Sequence, residues 1–324
     1  MKLGIFRLLF RLAPLMDFLL APLSLVSSLW SLYVRCSGFD RMPFARKIFI
    51  TVGVLPVRRH YYEPFFDPTD FRCSLEEDRI LPGIDMCVAN QLTLLDNLNY
   101  QDELLKIPCE NDGHRNFYYN NEFFAPGDAE FLYAMIRYYR PRRIIEVGSG
   151  NSTLMMINAI SANRLDSPDY VCDLTCIEPY ESLWLEQRGV SVLRKRVEEI
   201  DVEFFSVLEA GDILFIDSSH VIKPQGDILY LYLQILPLLR SGVFVHIHDI
   251  MTPRDYFQSW VADKLQFWNE QYVLESFLTM NHEYDVIAAL NFLKHHHFAR
   301  LVSVCPILGQ QPGCEPGSFW IRRV

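Results

Sequence analysis

Four short apolar runs in this 324-residue chain each carry an acid at or next to their end, and chemistry would start at those acids. The first is Glu146, in RIIEVGSGNST, where Gly148, Ser149, Gly150, Asn151 and Ser152 turn the chain into what reads as a helix. Glycines let a backbone approach a ligand closely, and a helix N-terminus offers unpaired N–H groups to a carboxylate or phosphate. The second is Glu178, which closes YVCDLTCIE; an acid there can accept both hydroxyl hydrogens of a ribose. Thr153 stands where a nicotinamide fingerprint has glycine or alanine, and no pyrophosphate loop follows. The pattern favours a nucleoside without a diphosphate.

The third and fourth acids are Asp217, in DILFIDSSH, and Asp249, in GVFVHIHDI. They close runs expected to be neighbouring strands, so their carboxylates can converge on one divalent cation. A blander reading has both aspartates capping the helices that follow. His246 reads as a hydrogen-bonded interior histidine, and His295, His296 and His297 as a solvated loop. Arg254 and Lys223 suit an anionic substrate or plain solvation equally well. Tyr119, Asn120, Asn121 and Phe123 are candidate contacts on a lid.

Positioning these groups requires a sheet. Helix 128–139, with Asp128 as N-cap, precedes strand 143–148, helix 153–163, strand 170–178, helix 180–188, strand 190–193, a short helix near 201–208 and strand 212–217. Then come helix 226–239, strand 242–249, a helix from 256 to about 278, and strands 284–292 and 318–324. Apolar strands alternating with helices call for a mostly parallel sheet covered on both sides, with ligands beyond the carboxyl ends of the strands. Residues 35–127 hold aromatic clusters, turn formers and one helix over 88–105, and read as a cap or lid. The eight cysteines show no C-x-x-C pair, which argues against structural zinc and for a reducing compartment.

Charge is uneven. Residues 1–60 hold nine Lys/Arg against two acids, within a chain whose net charge is −10. An acidic body behind a basic arm argues against a general nucleic-acid binder. From Leu12 to Val34 the arm is long and apolar enough to span a bilayer, although Asp17, Pro14 and Pro22 interrupt it. A stripe of Ala21, Ser24, Ser28 and Ser31 suits either an interfacial helix or a spanning helix packed on another. A buried helix of the body and a cleaved signal peptide are the alternatives, the latter lacking a small-x-small site. Residues 1–35 are therefore expected to meet a membrane surface.

EVGSGNST, CIEPY, DILFIDSSH, a glycine-preceded strand ending in HDI and two terminal strands together resemble the class I S-adenosylmethionine-dependent methyltransferases. The segment PGDAEFLYAMIRYYRPRRIIEVGSG is most similar to the small-molecule, catechol-type and sugar O-methyltransferase branch. The resemblance implies a Rossmann-like, seven-stranded α/β sheet with an antiparallel last strand over 117–324, behind an apolar helix at 1–35 and a cap at 36–116. It implies that Glu146, Gly148 and Gly150 shape the turn for S-adenosyl-L-methionine, that Ser152 holds the methionine carboxylate, and that Glu178 holds the ribose. Ser149, Asn151 and Asp217 complete the cofactor set. For the metal-dependent members it implies Asp217, His248 and Asp249 around Mg2+ or another divalent cation, and His220 as the base. His248 stands where the sugar enzymes tend to have an acid, which opens the site to a softer ion. A bound cation lowers the pKa of an acceptor hydroxyl, and His220 can remove its proton.

The function expected is O-methylation of a small-molecule, glycan or lipid-linked hydroxyl at the cytoplasmic face of a membrane. The alternatives are a non-catalytic, membrane-tethered nucleoside-binding protein and a relative that has turned to other chemistry.

Overall fold

The computed structural model describes residues 2–60 and 62–324, with side chains from residue 13 onward, so those of Lys2, Arg7 and Arg11 lie outside the description. The chain forms two compact units, Met1–Arg72 and Cys73–Val324. That boundary differs from the expected cap: Leu94, Leu95, Leu98 and Leu104 lie in the same buried core as the sheet.

In the first unit α1 (Lys2–Ser37) runs through Pro14 and Pro22 as one helix. From Ala13 to Ser37 it is long and apolar enough to cross a membrane. From Leu15 to Tyr33 its apolar side chains are exposed, Phe18 at 79% and Val26 at 64%, whereas Val34 is buried. α2 (Pro43–Val52) begins at a proline and ends at Gly53, whose φ of 79° is left-handed and suits glycine. Glu63 ties the unit together, accepting from Arg35 Nη2 at 2.6 Å and Arg58 Nε at 3.3 Å.

The second unit begins with α3 (Val88–Asn97) and α4 (Gln101–Leu104), where one helix over 88–105 was expected; Leu98, at ψ 90°, separates them. α5 (Asp128–Tyr139) leads into β1 (Arg143–Val147), α6 (Asn151–Asp166), β2 (Asp173–Ile177), β3 (Ser191–Leu193) and β4 (Ile213–Ile216). α7 (Asp227–Tyr230) continues through a π turn and a 3-10 turn to Leu238. β5 (Phe244–Ile247), α8 (Glu270–Leu278), β6 (Tyr284–Ala289), α9 (Leu290–His296), α10 (Phe298–Val302), α11 (Pro306–Gln310) and β7 (Phe319–Arg323) complete the unit.

The seven strands lie in the order β3-β2-β1-β4-β5-β7-β6. β7 is antiparallel to both neighbours and every other pair is parallel. Strand residues alternate between faces, as the period of two demands. Ile144, Ile213, Phe215 and Phe244 join Phe131, Met135 and Met155 in one core, while Ile145, Val147, Leu214, Ile216 and Val245 join Ile228, Leu231 and Leu274 in the other.

Several elements differ from expectation. Only a 3-10 turn, Leu185–Arg188, forms where helix 180–188 was expected, and another, Val202–Val207, stands near 201–208. The helix expected from 256 onward is a π turn, Ser259–Asp263, then irregular chain up to α8. The strand expected to reach 292 stops at Ala289, because Leu290 starts a helix.

Candidate active site

Register puts the four chemical strand ends in one row. Val147 pairs with Ile177 and with Ile216, and Ile216 pairs with Ile247. The next residues, Gly148, Glu178, Asp217 and His248, therefore stand side by side at the carboxyl rim of adjacent strands. Backbone bonds carry the ladder one step further: Gly148 N donates to Ile177 O, Asp217 N to Val147 O, and His248 N to Ile216 O.

At Gly148 the φ is 78°, and a Cβ would lie 1.7 Å from the Asp217 carbonyl oxygen, so only glycine fits. Gly150 is different: a Cβ there meets nothing within 4 Å, because it borders a hollow. Glu146 does not reach that hollow. It is fully buried, accepting from Ser152 Oγ and Thr153 Oγ1 at 2.6 Å each and from Cys176 Sγ at 3.3 Å. Burial pushes its pKa up to about 7 against those hydrogen bonds. Its carboxyl thus clamps the first turn of α6 to β1. Ser152 has its hydroxyl committed to Glu146, so what it can offer a ligand carboxylate is a backbone N–H of the helix start. Asn151 lines the same hollow and donates through Nδ2 to Asn121 Oδ1 at 3.0 Å.

Glu178 faces the turn across the opening. Its Oε1 accepts from Tyr180 N at 3.0 Å and Glu181 N at 2.8 Å, and its Oε2 from Ser149 N at 3.3 Å. Two hollows, of about 430 and 350 Å³, meet here and share Gly148, Glu178 and Asp217 in their walls. Those volumes are in the range of small-molecule sites. Phe123, 80% exposed, and Ser149 line the second hollow. Tyr119 takes no part, being buried with its hydroxyl on Leu104 O, and Asn120 bonds Glu110 and Gln311.

Beside Asp217 lies a denser cluster. One donor atom each from Asp217, His248 and Asp249 lie within 4.8 Å of one another. His248 turns Nδ1 toward them, 3.7 Å from Asp217 Oδ1 and 3.5 Å from Asp249 Oδ1, and Nε2 toward Asp128 Oδ2 at 3.5 Å. A ligand imidazole backed by an outer carboxylate is the usual arrangement around divalent metals. The donors present, two carboxylates and an imidazole, therefore fit a divalent cation, of the Mn, Fe or Zn kind as well as Mg. Asp128 is not the N-cap of α5; Gly127 is, and Asp128 accepts from Gly317 N and Ser318 N, fastening the chain before β7 behind the cluster.

His220 sits in the left-handed region at φ 57° and is buried. Its Nε2 lies 3.4 Å from both Asp217 Oδ1 and Asp249 Oδ2, and its Nδ1 2.8 Å from Glu270 Oε2. Its carbonyl accepts from Asn269 N and Glu270 N, so the start of α8 holds both ring and backbone. Burial opposes charge on His220, but Asp217, Glu270 and Asp249 together raise its pKa to about 10. Asp217 is held ionised: burial works against it, and His248 and His220 outweigh burial. Burial pushes Asp249 the other way.

Glu270 was not singled out in sequence, because it carries no motif and lies 50 residues from the histidine it holds. The other histidines fall outside the cluster. His246 is fully buried, with Nε2 on Ser318 Oγ at 2.8 Å. His295 and His296 sit on α9, not in a loop, and pair with Glu315 and Asp78. Arg254 also pairs with Asp78, whereas Lys223 lines the 430 Å³ hollow. A third hollow, of about 560 Å³, is bordered by Leu75, Arg254, Phe257, Trp260, His295 and Glu315.

The strand order, the antiparallel β7 and a glycine turn facing an acid across an open hollow define a class I methyltransferase-type domain. Residues 145–250 match the family model described as a methyltransferase domain. An uncharacterized protein from Archaeoglobus fulgidus is 31% identical over 176 residues, which is 50% of this chain and 77% of that one. The chain belongs to the same family as that archaeal protein. Among solved structures, a Plasmodium falciparum protein assigned as a protein-L-isoaspartate O-methyltransferase, in complex with S-adenosyl-L-homocysteine, matches 50% of this chain and 75% of its own. That match is 13% identical with a TM-score of 0.28, too distant to bear on function.

Proposed function

We propose that this protein transfers a methyl group from S-adenosyl-L-methionine to a hydroxyl of a small-molecule, glycan or lipid-linked acceptor, assisted by a divalent cation. The observation that carries the reading is the contact between Ser149 N and Glu178 Oε2 at 3.3 Å, at the junction of two hollows. A nucleoside there would meet Glu178 with its ribose and the free N–H groups of α6 with its carboxylate. Gly150 leaves the room for its close approach.

Asp217, His248 and Asp249 would hold the cation, which lowers the pKa of the acceptor hydroxyl and orients it. Glu270 keeps a proton on His220 Nδ1 and leaves Nε2 facing the two aspartates. With Asp217 and Asp249 neutralised by a cation, two of the carboxylates that hold His220 protonated would be offset, and Nε2 would be free to take the acceptor hydroxyl's proton while the methyl carbon exchanged its bond to sulfur for one to that oxygen. Alignment of two bound reactants supplies much of the remaining acceleration.

The exposed apolar length of α1 supports a second part of the reading, that the enzyme works at the cytoplasmic face of a membrane, where its cofactor is made. Calorimetry with S-adenosyl-L-methionine tests the first part. Saturable heat at one site per chain is expected, and no binding by folded protein would remove the enzyme reading. A second titration with Mn2+ or Mg2+ tests the cation separately.

A further inference from the structure

Membrane contact was expected of residues 1–35 alone, yet the first unit holds another element built for lipid. No side chain of α2 is buried. Phe44, Ile48 and Val52, four residues apart and so on one stripe, are exposed at 85%, 62% and 68%. Lys47 stands to the side of that stripe, and Arg46 is on the helix face opposite it. A ten-residue helix without a buried face is marginal in water and needs something to cover it.

Charge identifies the cover. Arg35 and Arg58 pair with Glu63, and Arg59 pairs with Asp67 and Asp70. Arg41, Arg46 and Lys47, like Arg72, have no carboxylate partner among the described residues, so three of this unit's four unpaired cations with described side chains stand on and just before α2. The stripe continues past Gly53 in exposed Val54, Leu55 and Val57.

Distance makes the contact feasible. Only residues 38–42 separate α2 from the apolar helix that ends at Ser37, and five residues reach at most about 18 Å. Phe39 shortens the link, with its ring 6.2 Å from Phe49 and the Arg35 guanidinium 5.6 Å above it. An α1 in the bilayer therefore brings α2 to its surface.

We propose that α2 lies in the interface of an anionic leaflet, with Phe44, Ile48 and Val52 entering the acyl boundary and Arg41, Arg46 and Lys47 at the headgroup phosphates. The inference rests on the reading of α1 as a membrane element. Its consequence is that the chain has two lipid signals, one apolar and one sensitive to lipid charge.

The test is amide exchange of the full chain in three settings: detergent, phosphatidylcholine nanodiscs, and nanodiscs with a large fraction of phosphatidylglycerol. The proposal expects exchange over 43–57 to slow by roughly tenfold or more in the anionic discs only, and Arg46→Glu with Lys47→Glu to abolish that slowing. If α1 amides are protected in both discs while 43–57 exchanges as in detergent, the proposal is overturned and the α1 anchor stands. Protection of 43–57 that rises with protein concentration in detergent would make a second copy the occupant and also overturn it. If α1 itself exchanges freely in both discs, the anchor fails and this inference falls with it.

Discussion

The Nδ1 of His220 lies 2.8 Å from the fully buried carboxylate of Glu270, while Nε2 of the same ring lies 3.4 Å from Asp217 and from Asp249. The pairing resembles the acid that orients the histidine of a catalytic triad, with a hydroxyl-activating nitrogen on the far side of the ring. Tyr232 OH, 3.2 Å from Glu270 Oε1, satisfies the other oxygen. Glu270→Ala should lower kcat by about 10- to 100-fold through loss of ring orientation. The affinity for S-adenosyl-L-methionine should stay unchanged, because Glu270 lines neither cofactor hollow. Equal losses in kcat and cofactor affinity would show that Glu270 serves the fold rather than the histidine.

Gly148 and Gly150 should respond in opposite ways to alanine. A Cβ at Gly148 collides with the Asp217 carbonyl at 1.7 Å, on a backbone with φ of 78°; the variant should lose several kcal/mol of stability, on the order of the larger single-site effects. A Cβ at Gly150 meets nothing of the protein within 4 Å. Gly150→Ala should therefore unfold in urea close to the parent and yet bind S-adenosyl-L-methionine at least about tenfold more weakly, a loss of about 1.4 kcal/mol. Unchanged binding would mean the ligand does not come near this turn.

Glu146 makes stability depend on pH. Burial raises its pKa from 4.5 to about 7 in the folded protein, so the native state holds a proton that the unfolded chain releases between those values. Its contribution is complete below about pH 4.5 and is lost as pH rises toward 7, by on the order of 3 kcal/mol. Glu146→Gln keeps the shape without the ionisation. The difference in urea midpoint between parent and variant should therefore change across pH 4.5 to 7 in the variant's favour, and a constant difference would contradict the shift.

The outer carboxylate behind His248 gives a handle on the cation. Asp128 Oδ2 lies 3.5 Å from His248 Nε2, and Asp128→Asn should weaken divalent-cation affinity by about 10- to 100-fold, measured by calorimetry. Asp217→Ala should abolish it, together with turnover. If turnover survives both Asp217→Ala and chelator, methyl transfer would proceed without metal assistance.

Much of this protein is written locally. Apolar runs separated by helical stretches marked all seven strands to within a few residues, and polar residues ending those runs marked Glu178, Asp217, His248 and Asp249. Such signals survive because strand and helix periodicities act over a handful of residues. Contacts between distant segments are not local, and there the reading changed. Asp128 reads as an N-cap from its neighbours but binds the chain before β7, 190 residues away. Ser152 reads as a ligand contact until Glu146 rises beneath it to take its hydroxyl. Glu270 is one of many helical acids until the fold sets it against His220. Burial is what separates the two kinds of knowledge: periodicity tells which side chains leave water, and packing alone selects the partners that buried polar groups must then find.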